Sequence, residues 1–361
     1  MPDTKPGVFL NEKGLCNACR SQESKRKINW KEREAQLCEL TSRIKQQNNG
    51  TYDCLVPVSG GKNSWYQAYT MAKKHKLKIL GCTLGAHIPT KEGISNLNKM
   101  IESVDMDLIK ITLKPSVYKS LRRKTFFRQG EPNWSEHLAM FSATTNIAQI
   151  YDIPLIVWGE DFSFEFGGIQ TKISKADASD IDKNDLIKDK VVDDFLDDDI
   201  RKRDTFFYRY PDLNLEDGRA LSSIYLGHFD FWDGKKQYEI VKKMGFTGRE
   251  EGSLSGNYID YDNIDEKLCE INIWLKYIKF GFWRSTDQTC YDIWNERLNR
   301  EDAIEIVNQL RDQFPNEYFD DFLRFHDITE NEFWEVVEEF RNRDIWKKDN
   351  SGEWKLKNIL K

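Results

Sequence analysis

Asp53-Cys-Leu-Val-Pro-Val-Ser-Gly-Gly-Lys-Asn-Ser64 is the stretch on which the fold turns. An apolar run stops abruptly at Ser59-Gly60-Gly61, and beyond it Trp65, Ala68, Tyr69 and Ala72 recur on one helical face. This predicts a strand, a glycine turn and a helix. Glycine lets the backbone approach an anion closely, and the first-turn N–H groups of the helix, with its dipole, point at the same place. The spacing is neither the Gly-x-x-x-x-Gly-Lys-Ser/Thr of a Walker loop nor the Gly-x-Gly-x-x-Gly of a dinucleotide fold. A bare Ser-Gly-Gly is common in surface turns, so the flanking strand and helix carry the phosphate reading.

Outward from this loop the chain alternates. Residues 31–50 predict a helix, 78–84 a second buried strand, 92–103 a helix and 107–113 a third strand. Helices near 116–128 and 135–151 precede a fourth strand in Ile153-Pro-Leu-Ile-Val-Trp158. The expected fold class is therefore α/β, a mostly parallel sheet with flanking helices and an α-rich C-terminal region. Ligands of such sheets sit at the carboxyl ends of the strands, where both Ser59 and Gly159-Glu160 fall.

Four regions follow: a cysteine-containing segment (1–30), the loop-bearing domain (31–171), an acidic insertion or linker (172–200), and an α-rich region completing the substrate site (201–361). Ten aspartates lie between Asp177 and Asp199, which predicts a solvated helix or mobile insertion. Ile224–Asp233 reads as extended, Ile264–Phe280 as strongly helical, and two or three helices follow, one opening on the capping box Thr329-Glu-Asn-Glu332.

Composition narrows the function classes. Of 361 residues, 39% are hydrophobic and 13% aromatic, enough for a substantial core, and no stretch approaches a membrane span. A net charge of −6 disfavours nucleic acid as the main partner. Seven scattered cysteines and no signal-peptide core lead us to expect a cytoplasmic protein with reduced thiols. Cys16-Asn-Ala-Cys19 has a spacing that suits zinc, but no second Cys-x-x-Cys exists, so two free thiols in a loop are an equal reading.

Ser59-Gly-Gly-Lys-Asn-Ser64 resembles the SGGxDS pyrophosphate loop of the ATP pyrophosphatases. Further motifs agree in order: Pro2-Asp-Thr-Lys-Pro-Gly-Val, Gly14-Leu-Cys-Asn-Ala-Cys19, Gly159-Glu160 with Glu165-Phe-Gly-Gly168, Tyr225-Leu-Gly with Trp232-Asp233, and Lys276-Tyr-Ile-Lys-Phe-Gly-Phe-Trp-Arg284. From about residue 2 to 343 the chain resembles the bacterial N-acetyl sugar amidotransferases of O-antigen, lipopolysaccharide and flagellin-sugar biosynthesis. That resemblance implies ATP-dependent conversion of an acetamido group, on a nucleotide-sugar or nonulosonic acid, to an acetamidino group. It also implies ATP and Mg2+, ammonia from a separate glutaminase, and a four-cysteine Zn2+ site of which only the half at Cys16 and Cys19 is present, so that less than one zinc per molecule is expected.

Carried over residue by residue, Ser59, Gly60, Gly61, Lys62, Asn63 and Ser64 would hold the nucleotide's phosphates. Lys62, Asn63, Glu160 and Lys279 are the catalytic candidates. Glu160, His228, Trp232, Lys279 and Arg284 are the substrate candidates, with capping and core roles as the plain alternatives.

Two departures stand out. The family loop carries Asp where this chain has Asn63, and members commonly have a further Cys-x-x-Cys just before the segment that opens here at Met1. The competing expectations are a tRNA-thiolating enzyme, with Cys82 as its formal persulfide carrier, and a non-catalytic nucleotide-binding partner.

Overall fold

The computed structural model describes residues 1–48, 50–166, 176–181, 187, 190–211, 215, 218 and 220–357. Two helices lead in, α1 (Asn17–Lys25) and α2 (Trp30–Gln47). The alternating part then runs β1 (Cys54–Pro57), α3 (Lys62–Tyr69), β2 (Ile79–Leu84), α4 (Lys91–Val104), β3 (Asp107–Ile111), α5 (Pro115–Gln129), α6 (Trp134–Ile150), β4 (Leu155–Trp158) and the short α7 (Phe162–Phe166). After the acidic stretch come β5 (Ser222–Tyr225), α8 (Leu226–Phe229) and α9 (Gly234–Lys242). The C-terminal part is α10 (Cys269–Phe280), α11 (Arg284–Trp294), α12 (Arg300–Leu310), α13 (Phe319–His326), α14 (Glu330–Phe340) and an antiparallel hairpin, β6 (Trp346–Lys348) and β7 (Trp354–Leu356).

The five strands are parallel, in the order β3-β2-β1-β4-β5. The chain winds one way from β1 through β2 to β3, then returns to β1's other side for β4 and β5. The reversal opens a crevice between the carboxyl ends of β1 and β4, the place where such sheets bind ligands. Both central strands are buried on both faces, as parallel strands covered by helices must be. Leu55 and Ile156 face the core under α5 and α6, whereas Cys54, Val56, Leu155 and Val157 face the opposite core with Trp65 and Ala68 of α3. A third core joins Phe126 of α5 to Ile271, Trp274, Phe322 and Phe333 of α10, α13 and α14. No described helix is long and apolar enough to cross a membrane.

The expected α/β architecture is present, though Ile224–Asp233 is extended only to Tyr225 before α8 (Leu226–Phe229) begins, and three larger differences stand out. First, the sheet takes its last strand, β5, from beyond the acidic stretch. Second, the described part of that stretch is not a solvated helix or mobile insertion. Val192, Phe195 and Ile200 are buried in the α5–α6 core, and the Phe195 ring meets Trp134 at 5.1 Å. The aspartates turn outward, Asp197 pairing with Lys124 and Asp193 with Arg209. A few apolar anchors among many charges are enough to seat the segment; its residues 172–175, 182–186, 188 and 189 lie outside the described residues. Third, Ile264–Leu268 is not helical. Asp265 O accepts from Thr90 N at 3.2 Å, and Lys267 N donates to Ile88 O at 3.2 Å, so tertiary bonds to the loop after β2 replace helical ones. Among the described residues four helices follow α10, where two or three were expected, and the box at Thr329 forms in full, with Glu332 N donating to Thr329 Oγ1 and Thr329 N to Glu332 Oε2.

Candidate functional site

The loop after β1 is held by its own short side chains. Ser59 N donates to Ser64 Oγ at 3.2 Å, Ser64 Oγ to Gly61 O at 3.0 Å, and Gly61 N to Ser59 Oγ at 3.3 Å. Gly60 has φ +90°, and a Cβ there would stand 2.8 Å from Gly93 O of α4. Both conditions demand glycine. Gly61 caps α3 with ordinary extended backbone and offers no side-chain bond, so the first-turn N–H groups of α3 face the crevice without an internal cap.

Across the crevice, β4 is followed by Gly159, whose missing Cβ would lie 2.0 Å from Gln67 Nε2 of α3. That close approach brings the next residue, Glu160, into reach of the loop. Asn63 Nδ2 donates to Glu160 Oε2 at 3.2 Å, and Asn63 Oδ1 is buried without a partner. Burial pushes the Glu160 carboxyl above its ordinary range, against the opposing pull of Lys62.

The remaining wall comes from the C-terminal part. Lys62 Nζ pairs with Asp262 Oδ1, and Asp262 Oδ2 accepts from Arg284 Nη2 at 3.2 Å and Gln288 Nε2 at 3.4 Å. Burial alone would raise Asp262, but Lys62 and Arg284 hold it down at about 2. Together these residues line a cleft closed by Trp232, Tyr261 and Tyr291 and rimmed by Asp287, Asp292 and Arg297. The cleft offers four cations, Lys62, Lys235, Arg284 and Arg297, with several acceptors and aromatic walls, a surface suited to a phosphorylated organic ligand.

The fold thus brings Lys62, Asn63, Glu160, Trp232 and Arg284 to one cleft beside Ser59, Gly60, Gly61 and Ser64. It does not bring Lys279 or His228 there. Lys279 leaves α10 on another face, donating to Gln129 O at 3.4 Å; burial lowers its ammonium to about 8, with Glu131 opposing. His228 is buried on α8 with Nδ1 3.1 Å from Arg33 Nη1. An arginine only donates, so in this pair the imidazole nitrogen is the acceptor.

Cys16 and Cys19 are also elsewhere. The Cys16 thiol caps α1, accepting from Cys19 N at 3.4 Å, and Trp294 Nε1 reaches Cys19 Sγ at 3.3 Å. Hydrogen bonding between the two sulfurs holds Cys16 down and pushes Cys19 up. Among the described residues no three His, Cys, Asp or Glu side chains are grouped to hold a metal, so the expected zinc ligands find no completing set.

Sequence reasoning missed Asp262, Gln288, Tyr261, Tyr291 and Arg297. Asp287, one helical turn after Arg284, was within reach of a periodicity argument on α11. Asp262 was not, because no local pattern marks it and its partner Lys62 is 200 positions away. Glu165, noted only as part of a motif, forms a fully buried ion pair with Lys25 at 2.8 Å and accepts from Tyr291 OH at 3.1 Å, tying α1, α7 and α11 together behind the cleft. Gly167 and Gly168 of the same motif lie outside the described residues.

Residues 255–361 match the family described as LPS biosynthesis protein WbpG-like, C-terminal domain. That region, which supplies Tyr261, Asp262, Arg284 and Gln288 to the cleft, is thus similar to a WbpG-like C-terminal domain. No curated protein matches the chain. Solved structures similar in part include the NH3-dependent NAD synthetase from Campylobacter jejuni subsp. jejuni NCTC 11168 in complex with the nitrate ion. It shows 12% identity and a TM-score of 0.31, over 38% of this chain and 58% of that one. NMN synthetase from Francisella tularensis shows 16% identity and a TM-score of 0.31, over 50% of this chain and 93% of that one. The chain thus spans little more than half of the first of these structures.

Proposed function

We propose that this chain is an ATP-dependent amidotransferase that converts a sugar acetamido group to an acetamidino group in the making of a bacterial surface sugar. The observation that carries the reading is the composite cleft. A glycine loop and an uncapped helix N-terminus from the sheet meet Arg284 and Asp262 from a domain of lipopolysaccharide-biosynthesis type.

The chemistry follows from the substrate. An amide carbon is a poor electrophile and its oxygen a poor leaving group. Attack of the amide oxygen on the α-phosphorus of ATP expels pyrophosphate and leaves an O-adenylated imidate. Ammonia then adds to the carbon, a proton is lost, and AMP departs with the oxygen. Stabilising this path is mainly a matter of alignment and charge neutralisation. In the proposed roles, the N–H groups at the start of α3 with Lys62 and Arg284 receive the pyrophosphate. Trp232 and Tyr261 flank the sugar nucleotide. Glu160, whose carboxyl burial raises, takes the proton from the attacking nitrogen. Magnesium arriving with the nucleotide would supply further neutralisation of the leaving pyrophosphate. The unpartnered Asn63 Oδ1 is an oxygen of the right kind to hold it.

Ammonia is assigned to a separate glutaminase, because no cysteine in the sequence sits in a nucleophile turn followed by His and Glu. A thiolating role fits less well. Cys82 is buried within β2, and burial pushes its thiol up to about 12, away from the thiolate such chemistry uses.

The test is pyrophosphate release from ATP, measured with ammonium salt and nucleotide-activated acetamido sugars and, in parallel, with bulk tRNA. Release dependent on the acetamido sugar is expected. Release driven by tRNA, or none with any acetamido sugar, overturns the proposal.

A further inference from the structure

The two cations assigned to phosphate are already engaged by carboxylates of the chain itself, and Arg284 Nη1 also lies 3.8 Å from Asp287 Oδ2. Asp262 bridges Lys62 and Arg284, with Gln288 Nε2 as its third donor, and its side chain is only 9% exposed. A carboxylate offers two oxygens and one charge, whereas a guanidinium alone has five donors. The match is incomplete: Arg284 Nε is buried with no partner, and so is Asn63 Oδ1 on the facing wall.

The backbone around Asp262 is clamped. The Tyr261 ring stacks on Tyr238 at 3.9 Å, and Ile264 is buried with its carbonyl accepting from Thr90 Oγ1. Between them Asn263 holds a left-handed φ of +53°. With both neighbours fixed, the motion open to Asp262 is rotation of its own side chain.

We infer that Asp262 is an internal competitor for the phosphate position, and that a diphosphate group binds by displacing its carboxylate from Lys62 and Arg284. This rests on the cleft being a phosphate site, and it adds that the empty site is neutralised from within. Buried cations left unpaired are strongly unfavourable, which explains why the chain supplies a stand-in. A diphosphate carries more negative charge and more acceptors than the carboxylate or than a single phosphate or sulfate, so it can exchange for it where those smaller anions cannot. Asp262 thereby acts as a specificity residue, selecting diphosphate-bearing ligands over orthophosphate and sulfate.

The test is calorimetric titration of the free protein with magnesium-free inorganic pyrophosphate, using wild type, Asp262→Asn and Asp262→Glu. Asp262→Asn should bind pyrophosphate at least about tenfold more tightly than wild type, and should bind orthophosphate measurably, because the competing charge is gone. Asp262→Glu, which keeps that charge, should bind more weakly than Asp262→Asn. Equal or weaker binding by Asp262→Asn overturns the inference and makes Asp262 a positioning group for Lys62, while leaving the phosphate reading intact if wild type still binds. No binding by either protein removes both. Should Asp262→Asn not fold, a crystal structure of wild type with pyrophosphate decides the matter. The carboxylate should have turned away from Lys62 and Arg284, and a structure in which it still bridges them overturns the inference.

Discussion

The starts of α1 and α3 make an instructive pair. Both are short helices opened by a motif conspicuous in the sequence, Cys16-Asn-Ala-Cys19 and Ser59-Gly-Gly-Lys-Asn-Ser64. At α1 the cap residue carries a sulfur, and the Cys16 thiol folds back onto Cys19 N. At α3 the cap is Gly61, with no side chain to fold back, and the sheet topology places that open end at the reversal between β1 and β4. A helix N-terminus becomes a ligand site only when nothing within the chain's first turn satisfies it and the fold aims it into a crevice. The α1 terminus fails on the first count, and it is packed against Trp294 rather than open to the cleft.

The comparison breaks most directly at Gly60. Gly60→Ala places a Cβ on a left-handed residue and against Gly93 O, so the loop must shift. Pyrophosphate release should fall about 10³-fold, since an ångström of misplacement and the loss of backbone donors both act on the transition state. Unchanged far-UV circular dichroism would show that the sheet survives. Activity near wild type would mean that the open end of α3 binds no phosphate.

Arg284 and Lys279, five residues apart in a family-like motif, sharpen the boundary of that open end. Arg284→Ala should cost about 10²-fold in kcat/KM for ATP, because a partly buried cation proposed to receive the phosphate is lost. Lys279→Ala should change it by less than about threefold, as befits a lysine at a helix end that reaches Gln129 instead of the cleft. Equal losses in the two variants would show that sequence proximity, not placement, governs the site.

Glu160 gives a pH signature. Burial raises its carboxyl, and a base must be ionised, so the rate at fixed ammonia should fall as pH drops through this elevated pKa. Glu160→Gln should be slower and should lose that acidic limb. A variant that keeps the limb assigns the proton to another group.

The smallest expected effect is at the self-capped helix. Cys16→Ala should cost about 1 kcal/mol in chemical denaturation, and Cys16→Ser, which still offers an acceptor, only a few tenths. Equal costs for the two would mean that the thiol contributes through packing with Val8, Ala18 and Trp294 rather than as a cap.

The sequence by itself determined the alternating α/β order, the glycine loop, the position of Glu160 at a strand's carboxyl end and the capping box at Thr329. Each of these is written in residues within a few positions of one another, through strand and helix periodicity, backbone freedom at glycine and local side-chain bonds. Tertiary structure alone decided which distant residues complete the cleft. Asp262 meets Lys62 across 200 positions only because Ile264–Leu268 gives up helical bonds for bonds to the loop after β2. It also decided that Val192, Phe195 and Ile200 pull the acidic stretch onto the core, against its composition. Lys279 and Arg284 were separated in the same way, for Gly281 ends α10 in a left-handed turn and redirects the chain between them. Side-chain direction across such a turn depends on what each helix packs against, and that information is spread over the whole chain.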